Sequence, residues 1–396
     1  MTCAVGTRGP SSLAALLIGG ATTISYLLPV FLTGALAVSM REELAMSMSA
    51  LGVAVGVYWG VGTLSSLHAG RLVDRIGSVR SLRLSTSMSL ASSMGIALTA
   101  QRWQHVAVWL ALGGLGLAVG QPAANRLLAN AVTPRRLGRA FGLKQSSAPA
   151  ATLLAGISVP LIAATIGWRW AFAGSGAVAA FVLLSVIIHR PGRLAKTAAT
   201  AGVRRLANAH IVALLAVGFG LSVATASVLT SFYVDAAVQI GLTVPVAGWL
   251  LALASLAAIV TRIGLGVVAD RVTRGHLRIC ATLLVVGSFG IGLLAVGNPI
   301  GTIAGVIIAM AGCWGMNGVF WFSLVRAYAD TPGRVTGAVA PGAVIGSMFG
   351  PMIFGVTVER TSFFLGWVGL IVVTLISAIV LGMCARILPE AADAQA

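Results

Sequence analysis

Gly70-Arg71-Leu72-Val73-Asp74-Arg75-Ile76-Gly77 closes an apolar stretch long enough to cross a bilayer, and a shorter echo, Gly266-Val267-Val268-Ala269-Asp270-Arg271, closes another. Asp270 stands 196 residues after Asp74 in a chain of 396. A charged turn at the same point of each half marks an internal duplication. Two more landmarks repeat at nearly the same distance: Thr133-Pro134 with Thr331-Pro332, 198 apart, and Gly167-Trp168 with Gly366-Trp367, 199 apart.

Composition sets the solvent. Hydrophobic residues make up 58% of the chain and charged residues 9%, with a mean hydropathy of +0.98. A soluble domain carries roughly 25% charged residues, so most of this chain is solvated by lipid. About 20 apolar residues cross the hydrocarbon core as a helix. Twelve such spans are predicted, at 12–38, 49–69, 84–100, 105–131, 140–166, 170–188, 210–236, 246–268, 279–297, 300–325, 337–358 and 365–387. One connection is long and polar, with Arg190, Arg193, Lys196, Arg204 and Arg205. It divides the chain into 1–189, a linker at 190–209, and 210–396.

The net charge of +17 is distributed in short runs between apolar segments, not on a soluble basic face. That placement points away from nucleic acid and toward anchoring of cytoplasmic loops. With the N-terminus inside, Arg41, Arg102, Arg169 and Arg360 are the four of 26 basic residues in outer loops, and Arg126, Lys144 and Arg262 fall within spans. The other nineteen are cytoplasmic, and an even number of spans returns the C-terminus to the same side. The first span lacks a small-residue cleavage site and is read as retained. Short loops and an Ala/Gly/Arg-rich composition suit a bacterial inner membrane, and a monomer is expected. The scattered Cys3, Cys280, Cys313 and Cys384 give neither a disulfide framework nor a zinc spacing. There is no glycine-rich phosphate loop, metal cluster or Ser/His/Asp order, so no catalytic residue, metal or cofactor is expected.

In the segment Gly70 to Arg80, a glycine is followed by Asp-Arg, a second glycine and a further basic residue. Here the chain resembles the major facilitator superfamily, over essentially its whole length. The resemblance implies an all-α membrane protein in which two pseudo-symmetric six-helix bundles face a central cavity and expose a midplane site alternately to each side. It also implies that Asp74, with Gly70, Arg75, Gly77 and Arg80, contacts the opposite half and holds the cytoplasmic gate shut. Asp270, with Gly266 and Arg271, is the weaker counterpart. Physically, the glycines permit tight turning, and Asp74 is placed to accept charge-assisted bonds from Arg75, Arg80 or a helix N-terminus. The alternative is a plain positive-inside anchor. Two departures stand out. Trp109, ahead of Gly113, occupies the region where many members carry an arginine. In span five, Ala148-Pro149-Ala150 and Gly156-Ile157-Ser158-Val159-Pro160 replace the Gly-Pro motif of drug/proton antiporters, and a related Gly346-x-x-x-Gly350-Pro351 occurs in span eleven.

An ionised group near the bilayer centre costs ~2.5–3.5 kcal/mol on insertion scales and usually serves a function. Asp235 is the one carboxylate within a span, toward its outer end. The intramembrane cations are Arg262, Lys144 and Arg126. Arg262-x-x-x-Gly266-x-x-x-Asp270 is similar to span eight of monocarboxylate and oxalate porters, which implies that Arg262 binds a substrate carboxylate; Ala258 stands where the monocarboxylate porters carry an acid. Otherwise Arg262 snorkels to the interface, and Lys144 and Arg126 have the same two readings. Gln121 and Asn125 share a face of span four. Thr22 and Tyr26 share one of span one, which Pro29 locally breaks. Ser222, Thr225, Thr230 and Tyr233 make span seven polar, and Asn317 and Trp321 share a face of span ten. These line a cavity or pack helices together. Asp235 and His68 are the candidates for proton coupling. The electrostatic balance favours a secondary transporter of a small organic anion, such as a carboxylate. Export of hydrophobic compounds is the alternative. A membrane enzyme or sensor would need clustered acids, histidines or an added domain.

Overall fold

The computed structural model describes residues 12–132, 143–188, 209–272, 275–328 and 332–388, which are helical with short turns and no strand. Twelve membrane-length segments follow one another. Span one is Ser12–Ala35, continued by the short helix Ala37–Leu44; spans two to four are Met48–Ile76, Ser78–Thr99 and Trp103–Ala131. Span five is Leu143–Ile166 and span six Trp168–Ile188. Spans seven to nine are Ala209–Gln239, Val244–Arg271 and His276–Ala295; eleven and twelve are Pro332–Arg360 and Phe363–Ile387. Span ten is interrupted at Met316, between Pro299–Gly315 and Asn317–Ala327. The linker 190–208, Thr133-Pro134, Thr331 and the side chain of Asp270 lie outside the described residues.

Eleven of these segments are apolar enough to cross a membrane unaided, and Ser78–Thr99 is the twelfth. Three of its serines bond neighbouring helices. Ser85 donates to the Gly116 carbonyl (2.7 Å), Ser92 to that of Trp109 (2.7 Å), and Ser93 pairs with Ser175 (2.9 Å). Small hydroxyl side chains that find partners across helices allow close packing without apolar bulk.

The segment Gly70–Arg80, expected as a loop, is mostly helix. Span two runs to Ile76 and span three begins at Ser78, so Gly77 alone makes the turn. Arg71 to Ile76 contains no helix breaker, and arginine and leucine are good helix formers. Gly77 has φ +84 and ψ 159, a region essentially reserved for glycine. In the second half Asp270 likewise lies in the last turn of its helix, and Gly275 turns the chain with φ +88. The Gly-Trp repeat is less equivalent in space. Gly167 is a turn with φ +101 and Trp168 opens span six, whereas Gly366 and Trp367 lie inside the first turns of span twelve.

The two six-helix bundles meet along spans one and seven, two and eleven, and five and eight. The approach is closest toward the end that bears Arg41. A Cβ on Gly34 would fall 2.6 Å from Ser231 Cα, and one on Gly156 would fall 2.7 Å from the Ala252 nitrogen. Toward the opposite end, Gly70, Gly264 and Gly266 have no such atom within 4 Å. The two ends are packed unequally, with the closure at the Arg41 end.

Candidate functional site

Spans five and eight each bury a cation, and the one on span eight reaches the main chain of span five. Lys144 and Arg262 are 2% and 6% exposed. Lys144 Nζ donates to Asn125 Oδ1 at 2.8 Å. Arg262 extends from span eight to two backbone carbonyls. Its Nη1 donates to Gln145 O at 2.6 Å, in the first bundle, and its Nη2 to Trp314 O at 2.8 Å, just before the interruption of span ten. The Nε of Arg262 is buried without a partner. Since Gln145 follows Lys144 directly, one guanidinium and one ammonium flank a single turn of span five. The described ion pairs are Arg41–Asp235, Arg126–Asp74 and Arg169–Glu43, and neither Lys144 nor Arg262 belongs to any of them.

The surroundings are polar but not acidic. Asn317 presents a buried, unpartnered Oδ1, and a Cβ on the next residue, Gly318, would fall 3.2 Å from Arg262 Cγ. Thr22 on span one and Thr152 on span five each bury a hydroxyl oxygen with no partner. Trp314 meets Phe31 of the first bundle edge-on, with ring centroids 5.7 Å apart. Gln121, one turn before Asn125 on the same face, is exposed. A desolvated cation is costly unless paired, so this arrangement is suited to an anion with several acceptor oxygens.

Other residues singled out in the sequence are engaged elsewhere. Tyr26 is buried within the first bundle: its hydroxyl contacts Thr23 Oγ1 at 3.3 Å and its carbonyl accepts from Tyr58 at 2.7 Å. Trp321 packs edge-on against Phe219 and Phe320, which stack on each other 4.1 Å apart. Arg126 Nη1 lies 2.6 Å from Asp74 Oδ1, so among the described residues the partner of Asp74 comes from its own half and is neither Arg75 nor Arg80. Arg126, five residues before the end of span four, reaches Asp74 in the last turn of the neighbouring span two. Arg75, Arg80 and Arg271 are exposed, as is His68. Asp235, at the other end, binds Arg41 Nη1 at 2.6 Å across the two halves.

Sequence patterns did not reveal Arg41, Gln145 or Trp314 as partners at these sites. Two of them act through backbone carbonyls, which any residue supplies. The one available signal was Pro149, four residues after Gln145.

Twelve spans in two bundles with two buried cations define a multi-pass membrane protein. Residues 12–351 match the Major Facilitator Superfamily, and the chain belongs to that family of transporters. It is 25% identical over 343 residues to the probable nitrate/nitrite transporter NarK2 of Mycobacterium tuberculosis, covering 83% of this chain and 85% of that protein. Over 147 residues it is 29% identical to the multidrug resistance protein MdtG of Proteus mirabilis, 36% of each chain. The crystal structure of a D-xylose-proton symporter superposes with a TM-score of 0.76, at 15% identity and with 96% and 98% of the two chains covered. That likeness is one of fold.

Proposed function

We propose that this protein is a secondary transporter of a small oxyanion, a carboxylate or a nitrate-like ion, working by alternating access in a bacterial inner membrane. In this reading the Asp74 end and both termini are cytoplasmic, the halves divide at 190–209, and the monomer suffices. The observation that carries it is two buried cations outside every described ion pair, Lys144 and Arg262, the second bonded to the main chain of Gln145, the residue after Lys144. A planar oxyanion matches the fork of a guanidinium, and an anion is the ligand that offsets two desolvated cations. The name of the mycobacterial relative is consistent with cargo of this chemistry. Asp235 is engaged by Arg41, which leaves no free carboxylate among the described intramembrane residues to carry a proton. Exchange or facilitated diffusion needs none, and His68 is the remaining candidate for coupling.

The test is uptake into proteoliposomes of isotopically labelled nitrate and acetate in parallel, with efflux of a lipophilic cation as a third arm. Saturable uptake of either anion supports the reading, and the two arms separate an inorganic from an organic cargo. The partial match to MdtG favours a second reading, export of hydrophobic compounds. Saturable cation efflux without anion uptake would establish it and end the first.

A further inference from the structure

Arg262 spends its two terminal nitrogens on main-chain oxygens in different bundles, and in both places the helix is irregular. Span ten is interrupted at Met316, two residues after Trp314. In span five the local cause is covalent. The carbonyl of residue i in an α-helix accepts from the N–H of residue i+4; for Gln145 that residue is Pro149, which has none. The Gln145 oxygen is therefore without its helical donor, and Arg262 Nη1 fills the place at 2.6 Å. A carbonyl already satisfied by its own helix would offer a charged donor from another bundle much less.

We propose that Pro149 is a positioning residue: by removing the helical donor of Gln145 it creates the acceptor that fixes Arg262 across the two halves when the carrier is empty. Pro149 acts through one oxygen atom. The bond ties span eight to span five on the Asp74 side of the Gly156–Gly248 approach, where the bundles have no comparable small-residue contact. An oxyanion drawn to Arg262 and Lys144 competes with the Gln145 carbonyl for Nη1, so the same atom that receives the cargo also releases the halves. This last step rests on the anion reading; the tie itself does not.

The measurement is the distance between spin labels on Leu64→Cys of span two and Val267→Cys of span eight, in full-length protein whose native cysteines have been replaced, without added anion. Both positions are exposed, at 70% and 50%. Pro149→Ala gives Gln145 its donor back, and the separated population is expected to rise about tenfold, the scale of one charge-assisted bond. Arg262→Gln produces the same shift, and Pro149→Ala adds nothing to it. A Pro149→Ala shift that persists undiminished in the Arg262→Gln background means that the proline only bends its helix, and overturns the proposal. So does an unchanged distance in folded Pro149→Ala protein. Sodium nitrate and sodium acetate are then added to the parent protein as probes. A shift toward separation supports competition for Nη1; no shift with either salt, alongside an intact mutant cycle, removes the anion reading and leaves the tie standing.

Discussion

Arg41 and Asp235 join the two bundles through one bond of 2.6 Å between Nη1 and Oδ1, with the carboxylate 4% exposed and the guanidinium 27% exposed. The geometry around Arg41 is closed on itself: Nε donates to the Met46 carbonyl, and the Arg41 carbonyl accepts from the Met46 nitrogen. Ala45 makes this possible by adopting φ +49, uncommon for a residue with a side chain. Beside it, the Glu359 carboxylate accepts from the Ser49 nitrogen at 2.7 Å, again between bundles. Two polar links thus close the same end that the glycines pack tightly. Opening toward this side requires both to break.

The unequal burial of the pair makes its two single substitutions unequal. Arg41→Gln leaves a buried carboxylate without its cation, whereas Asp235→Asn leaves a guanidinium that reaches water. Removing one partner of a fully buried pair costs ~3–5 kcal/mol, and this half-exposed one less. Arg41→Gln is therefore expected to lower the unfolding temperature in detergent more than Asp235→Asn, and the double variant is expected to recover part of the loss. Equal losses in both single variants would contradict the assignment. In the folded Asp235→Asn protein, a cysteine at Thr230 should react faster with an impermeant maleimide from the Arg41 side.

Arg262→Ala should weaken cargo binding by ~2–5 kcal/mol, the cost of leaving a buried charge partner unpaired, while the protein still inserts and folds. The check is the concentration dependence of anion uptake in proteoliposomes. Arg262→Lys is expected to restore little, because a point charge cannot serve two carbonyls and an oxyanion with a planar fork. Kinetics unchanged within twofold in the alanine variant would remove Arg262 from the site.

The Arg126–Asp74 pair behaves differently because Asp74 is 72% exposed. Exposed pairs contribute ~0–1 kcal/mol, so Asp74→Asn should barely change stability. Its expected effect is on cycling: a lower maximal uptake rate with the half-saturating concentration preserved, since neither residue touches the Lys144–Arg262 site. A raised half-saturating concentration would instead place Arg126 in contact with cargo.

What was legible in the sequence was whatever lipid enforces. The twelve spans follow from hydropathy; the third is legible as 84–100, its more apolar part, without its serine-rich start from Ser78. The duplication was legible because Asp74 and Asp270 end equivalent helices. The gate segment was misjudged as a loop because charge was taken for irregularity, although arginine extends a helix as well as leucine does. Lys144, Asn125 and Arg262 were legible as polar atoms in the wrong solvent. Their mutual arrangement was not, because Gln145 and Trp314 contribute oxygens that carry no side-chain signature. Arg126 had two readings, cargo contact or interface anchor, and its pairing with Asp74 on a neighbouring helix gave no signal in the sequence.

Span eight offers a steric contrast along one helix, tight where it meets span five at Gly156 and open at Gly264. At Gly156 a side chain would meet the Ala252 nitrogen at 2.7 Å and the Gly248 carbonyl at 2.9 Å, main-chain atoms of the other bundle that cannot rotate away. At Gly264, on the same span eight, a side chain would meet nothing within 4 Å. Small residues let membrane helices touch backbone to backbone, and that closeness is what binds them where no hydrophobic force acts between helices. Gly156→Ala is therefore expected to push the bundles apart, lowering the unfolding temperature and raising maleimide access at Thr230→Cys from the Arg41 side. Gly264→Ala should leave both unchanged or slightly raise stability through its better helix propensity, by ~1 kcal/mol or less. If the two alanine variants behave alike, the close approach at Gly156 is not what holds this end shut.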